Sequence, residues 1–226
     1  MIKPSKDLRS FLDLLEKAGD LKRVTEEMDW DMEAAALSRL INETLAPAAL
    51  LEKVKDYPGY KLLVSPLTNR RRLAIALGLD PESSLETMQD FYEERIAHPI
   101  KPILINNSPC KEKIITGKDV NLFELPSPMV HGGDGGRYIG TWQVVVTRDP
   151  DSDWVNWGIY RTMVYNKRLM SISFHHENDG GKIMYRKYWS RGKAMPVVLA
   201  IGTSPICSLI AATSFAVGKS EVDFAG

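Results

Sequence analysis

Cysteine is nearly absent: Cys110 and Cys207 are the only two in 226 residues. Two thiols build neither a disulfide framework nor a cysteine-based zinc site. Cys207, set in an apolar run, reads as a small core residue. Excess charge of either sign is missing too. Twenty-nine basic residues balance twenty-nine acidic ones, so bulk charge gives no support to nucleic-acid or anionic-membrane binding. The densest basic run, Arg70-Arg71-Arg72, reads as a solvated helix start. No uninterrupted apolar run reaches spanning length, and the opening M-I-K-P-S-K-D lacks an apolar signal core. The expectation is a cytoplasmic protein. What is present is ordinary for a globular chain, 44% hydrophobic and 26% charged, enough for one large or two modest domains with a real core.

Periodicity divides the chain near residue 102. Ser5 can cap a helix whose Leu8, Phe11, Leu12 and Leu15 share a face, with Gly19 stopping it. Residues 20–27 alternate like a strand, 32–45 return to helical spacing, and Pro47 ends that helix. Strands fit 50–54 and 61–64 around a Tyr57-Pro58-Gly59 turn, and helices fit 71–77 and 85–97. From residue 103 the pattern is β-rich: 144–146, 157–164, 169–174 and 197–201 are strand-like, with one helix over 182–191. The expected fold is α/β: a small N-terminal α/β region (1–102), then a β-rich barrel or split barrel (103–226).

Four segments carry candidate chemistry. H-G-G-D-G-G-R-Y-I-G-T (131–141) lets backbone approach a ligand, with Arg137 as a fixed cation beside it; a hairpin loop is the simpler alternative. It is neither a P-loop nor a dinucleotide fingerprint. In W-V-N-W-G-I-Y-R (154–161), Asn156 offers an amide oxygen suited to Mg²⁺ or Mn²⁺. On one continuous strand Asn156, Gly158 and Tyr160 share a face opposite Trp157, Ile159 and Arg161, so Asn156 and Arg161 meet one ligand only if the strand bends, which Gly158 permits.

F-H-H-E-N-D-G-G (174–181) holds two adjacent histidines, of which at most one should reach a site, and Gly180-Gly181 could open a helix whose free N–H groups receive an anion. In A-A-T-S-F-A-V-G-K-S-E (211–221), the Thr213 and Ser214 hydroxyls could hold a flavin ring or phosphate, and Glu221 supplies an anionic oxygen that completes an Asn/His/Glu set.

In this order the four segments resemble the UbiD family of reversible decarboxylases, essentially from end to end, and P-A-A-L-L-E-K-V-K-D-Y-P-G-Y (47–60) resembles that family's first-domain strand and turn. The resemblance implies a flavin-binding split barrel and prenylated FMN, its phosphate bridged by Mn²⁺ (or Mg²⁺) and K⁺. Asn156, His176 (or His175) and Glu221 then match the metal and phosphate ligands. Gly158, Ile159 and Tyr160 match the backbone passing the cofactor, Thr213 and Ser214 a flavin-contacting turn, and Arg161 the catalytic arginine. The implied reaction is reversible non-oxidative decarboxylation of an aromatic acid. P-S-P-M-V-H-G-G-D-G-G-R-Y (126–138) is most similar to members acting on phenolic acids.

The family's Glu-x-x-x-x-Glu acid/base pair has no match after Glu221, and the expected barrel looks truncated. Three accounts stand: a piece of a longer enzyme, a short subunit completed by a second polypeptide, or a domain that binds flavin, or nothing, without turnover. Each leaves strand edges and apolar surface for a homo-oligomer or complementary chain to cover. The implied partners are a small aromatic acid and a flavin prenyltransferase that supplies the cofactor. Against the enzyme reading stand a non-catalytic flavin- or metal-binding module and a purely structural subunit.

Overall fold

The computed structural model describes residues 5–226; residues 1–4, the start of the stretch expected to lack a signal core, lie outside them. The first helix, α1 (Leu8–Lys17), is capped by Asp7 and not by Ser5. The Asp7 carboxylate accepts from Ser10 N at 2.8 Å, and Asp7 N donates to the Ser10 hydroxyl, a reciprocal box that Ser5 has no partner to form. Phe11 and Leu15 are buried, and Gly19 (φ +72) turns the chain into β1 (Leu21–Met28).

β1 pairs in parallel with β2 (Ala48–Val54) across the crossover helix α2 (Glu33–Thr44), and β2 pairs antiparallel with β3 (Leu62–Val64). β2 is the middle strand and buries both faces. Ala48 and Leu50 pack with α1 and Ile75, while Ala49 and Leu51 pack with Ala34 and Ile41 of α2.

Helices α3 (Arg70–Ala76) and α4 (Leu85–Ala97) complete this region. The arginine run at α3 is not simply a solvated face. Arg72 is 0% exposed, donating to Ala46 O at 2.9 Å and Thr68 Oγ1 at 2.8 Å, with Asp20 at 3.4 Å. Arg71 pairs with Asp20 at 2.7 Å and also with Glu82. The buried carboxylate of Asp20 draws both cations inward.

The second region holds two antiparallel three-stranded sheets. One has the order β4-β7-β8, from β4 (Arg137–Gly140), β7 (Thr162–Asn166) and β8 (Leu169–Ile172). The other has the order β6-β5-β9, from β5 (Val144–Arg148), β6 (Val155–Gly158) and β9 (Val198–Ala200). The single strand expected over 157–164 is therefore two strands in different sheets. The chain leaves β6 at Gly158, and the Tyr160 carbonyl accepts from the side chains of Gln143 and Thr162 instead of a ladder partner.

The helix expected over 182–191 starts earlier, as α5 (Asp179–Ile183), because Asn178 Oδ1 accepts from Gly181 N at 2.8 Å. It continues through a π turn (Met184–Tyr188) and a 3-10 turn (Trp189–Arg191). A further helix, α6 (Pro205–Ala211), forms from the late apolar run and begins on a proline. Burial there pushes the Cys207 thiol up, as suits an unreactive packing residue.

Backbone and side-chain contacts join the regions. Met129 bonds with the backbone of Trp30 and Met32, and Tyr92 of α4 meets Thr213 beyond α6 at 2.5 Å. The α/β class with a β-rich second part is the one expected. No helix among the described residues is long and apolar enough to cross a membrane.

Candidate functional site

A cleft of about 460 Å³ lies between the end of β6 and the segment following α6. One wall is residues 156–160, another is 211–215, and Glu177, Asn178, Asp179 and Lys182 close a third side, with Glu221 also lining it. Its assembly starts at an edge. β6 is the outer strand of its sheet, and alternate N–H groups along its free edge are met by side chains from residues 220–221. Val155 N donates to Ser220 Oγ at 2.9 Å and Trp157 N to Glu221 Oε2 at 2.8 Å. Trp154 Nε1 adds a bond to Lys219 O at 3.0 Å. This seals the edge and carries a carboxylate 64 residues along the chain to the side of Asn156.

Glu221 is 3% exposed, and burial pushes its carboxyl above the ordinary value, with the charge of Asp179 adding in the same direction and the Trp157 N–H opposing. It makes no ion pair among the described residues. Asn156 is 2% exposed and donates its amide to Thr147 Oγ1, its cross-strand neighbour, at 3.0 Å. Asn156 and Glu221 are thus two oxygen-bearing groups held together with their hydrogen bonds to protein only partly used. Tyr160 is largely enclosed; burial raises its phenol, and its hydroxyl accepts from Gly180 N at 3.2 Å.

The expected residues divide. Asn156, Gly158, Ile159, Tyr160, Thr213, Ser214 and Glu221 line the cleft; Arg161, His175 and His176 do not. Arg161 is exposed just past the bend and makes no ion pair among the described residues. His176 is exposed and stacks on Tyr185 with ring centroids 3.8 Å apart, and His175 Nε2 stands 3.5 Å from Ser173 Oγ. The Thr213 hydroxyl is engaged with Tyr92 and Leu209 O, whereas Ser214 is exposed at the cleft. Among the described residues no three His, Cys, Asp or Glu side chains converge as a metal set, so a cation here would need the Asn156 amide.

Two readings are corrected. The Gly180 and Gly181 N–H groups are taken by Tyr160 Oη and Asn178 Oδ1, so they are not free for an anion. Arg137 is no ligand-binding cation: it belongs to β4, lies 3.3 Å from the Trp30 ring centroid and donates to Tyr57 Oη at 2.5 Å, tying the two regions together. Asp179 and Lys182, which no motif in the sequence singles out, form an ion pair at 2.9 Å in the cleft wall. Their signal was position alone, directly after the histidines and at the start of a helix.

Residues 103–226 match the UbiD family's 3-octaprenyl-4-hydroxybenzoate carboxy-lyase Rift-related domain, and residues 12–92 match its N-terminal domain. The chain belongs to the UbiD family. It is 34% identical over 238 residues to a UbiD-family relative, the phenolic acid decarboxylase of Sedimentibacter hydroxybenzoicus, covering 100% of this chain and 48% of that protein. The vanillic acid decarboxylase structure of the same organism, in closed form, superposes with a TM-score of 0.92 at 31% identity, over 99% of this chain and 48% of that one. The UbiD-class enzyme HmfF of Pelotomaculum thermopropionicum, solved with FMN, gives 0.85 at 29% identity over 97% and 47%. The chain spans about half the length of the curated relatives it matches.

Proposed function

We propose that this chain forms the flavin-phosphate part of a UbiD-type carboxy-lyase that reversibly decarboxylates an aromatic, phenolic, carboxylic acid. The observation that carries the reading is the cleft in which Glu221, a buried carboxylate without a cation beside it, stands with Asn156 against the 156–160 backbone. A buried anion of this kind calls for a countercharge, and carboxylate with amide oxygen suits a hard cation, Mn²⁺ or Mg²⁺. Asn156 and Glu221 would thus hold a divalent cation beside a flavin phosphate, with K⁺ as a second cation and His176, which stands outside the cleft lining, as the expected further ligand. FMN in HmfF and prenylated FMN in its evolved dimeric form support the choice of flavin. The phenolic and vanillic acid decarboxylases among the relatives support the substrate class.

In this reading Asn156 and Glu221 would hold the cation, and Gly158, Ile159, Tyr160, Thr213 and Ser214, which line the same cleft, would contact the flavin. Bound prenylated FMN supplies the electron sink for loss of CO₂. Arg161, a permanent charge with a rigid fork, grips the substrate carboxylate in two hydrogen bonds and orients it. Protonation of the product carbon is assigned to no residue of this chain. A flavin prenyltransferase supplies the cofactor, and a complementary chain or second copy completes the assembly, as the two-chain name of the vanillic acid enzyme and the dimeric HmfF suggest. Two free thiols fit a reducing, cytoplasmic setting.

A second reading, a flavin- or metal-binding module or accessory subunit without turnover, draws on one observation: Arg161 and both histidines lie outside the cleft lining. Activity separates the two. Protein co-expressed with a flavin prenyltransferase and assembled with its partner should decarboxylate hydroxybenzoic acids, and Arg161→Ala should abolish turnover at unchanged flavin content. Retained activity in Arg161→Ala contradicts the catalytic assignment, and bound flavin without turnover in the parent favours the second reading.

A further inference from the structure

The proposed chemistry uses Tyr160 only through its backbone, yet its side chain is held at every point. The carbonyl of Tyr160 accepts from Gln143 Nε2 at 2.5 Å and Thr162 Oγ1 at 3.2 Å, which fixes the bend after β6. From there the ring folds back over Gly158, so closely that a Cβ on Gly158 would lie 2.6 Å from Tyr160 Oη. The ring meets the edge of Phe174 with centroids 4.9 Å apart, and Oη accepts from Gly180 N at 3.2 Å.

The far side is as tight. A Cβ on Gly180 would lie 2.6 Å from the Phe174 ring and 3.1 Å from Tyr160 Oη, and one on Gly181 would stand 2.6 Å from the His175 carbonyl carbon. These three glycines are required by space: any side chain there displaces the tyrosine, the phenylalanine or the histidine loop. Phe174 and Gly180 are the two ends of the loop that carries His175, His176 and Glu177, and one side chain grips both.

We propose that Tyr160 is a positioning residue: its ring and hydroxyl clamp both ends of the 174–180 loop to the bend bearing Arg161, and so set where His176 and Glu177 stand beside the cleft. The loop's link to cofactor binding rests on the flavin reading above; the clamp itself does not. Ring and hydroxyl have separable duties. The ring fills the space left by Gly158 and Gly180, while the hydroxyl accepts from a mostly enclosed N–H that has no other acceptor among the described residues. Tyr160→Phe keeps the first and removes the second, so it should fold.

The test uses the flavin-free chain first. In Tyr160→Phe, amide exchange at Gly180 should rise roughly tenfold, the worth of one hydrogen bond to an enclosed donor. The imidazole resonances of His176, which report its stack on Tyr185, should shift, while the thermal midpoint falls only by the few degrees that one hydrogen bond is worth. A residue that merely fills the core would lower the midpoint and leave His176 where it was. Unchanged Gly180 exchange, or an unchanged His176 environment, overturns the clamp whether or not flavin binds. FMN titration of the parent with Mn²⁺ then tests the site reading separately. If the parent binds, Tyr160→Phe should weaken FMN by roughly tenfold, and equal affinity would cut the link between loop position and cofactor.

Discussion

A guanidinium taken out of water is destabilising unless its donors are met, and Arg72 meets them at both terminal nitrogens, through the Ala46 carbonyl, the Thr68 hydroxyl and the carboxylate of Asp20, while its Nε has no partner among the described residues. Burial alone lowers its pKa, and the charge of Asp20 works against that. Arg72→Met should leave Asp20 short of a partner in the interior and lower unfolding stability by about 3 kcal/mol in urea titration. A loss under about 1 kcal/mol would mean that Arg71 alone satisfies the carboxylate. Nothing in an Arg-Arg-Arg run signals this, because the partner lies 52 residues away and becomes visible only once β1 and α3 are packed. Asn156 and Glu221 were legible for the opposite reason. Asn156 is an amide in a strand-like apolar stretch, and Glu221 gained its meaning from the order of segments that resembles the family.

Among the elements, α4 was readable to its ends, since Ser84 caps it and its apolar spacing is regular. The break between β6 and β7 was not readable. Both halves have strand-like composition, and the bend is held by the Gln143 and Thr162 side chains, which carry no local periodicity. The turn between β5 and β6 illustrates a different element contact. Asp151 there pairs with Arg191 and Lys187, fastening the π and 3-10 turns that follow α5 to the sheet.

Those two cations, the Arg191 bonds foremost, hold the Asp151 carboxyl well below the usual range. A depressed carboxylate stabilises the fold above its unfolded pKa, and the contribution fades as pH falls toward the folded value. Asp151→Asn should therefore melt earlier than the parent at pH 7, with the gap closing below about pH 4. A gap that persists unchanged at pH 3 would show that the ion pairs are not its source.

Taken whole, the molecule is two regions, the second of which lines the cleft, with a broad apolar stretch left uncovered. Ile103 and Leu104 are 89% and 96% exposed, and Ile105 and Ile114 follow them. Exposed apolar surface of this kind is what the proposed assembly would cover. The first region supports the cleft without lining it: Tyr92 of α4 meets Thr213 at its rim, while β6 and residues 219–221 hold Glu221 against its wall. The family order of motifs made that wall legible in the sequence. It could not show that Arg161 and His176 stand outside the lining, because that depends on how the 174–180 loop is held.

The central claim is that Asn156 and Glu221 bind a flavin phosphate through a divalent cation. Its most direct test is calorimetric titration of FMN into the chain with and without Mn²⁺, repeated on Glu221→Gln. Binding should require Mn²⁺ and fall at least tenfold in Glu221→Gln while the fold is kept. Metal-independent binding, or equal affinity in Glu221→Gln, contradicts the account.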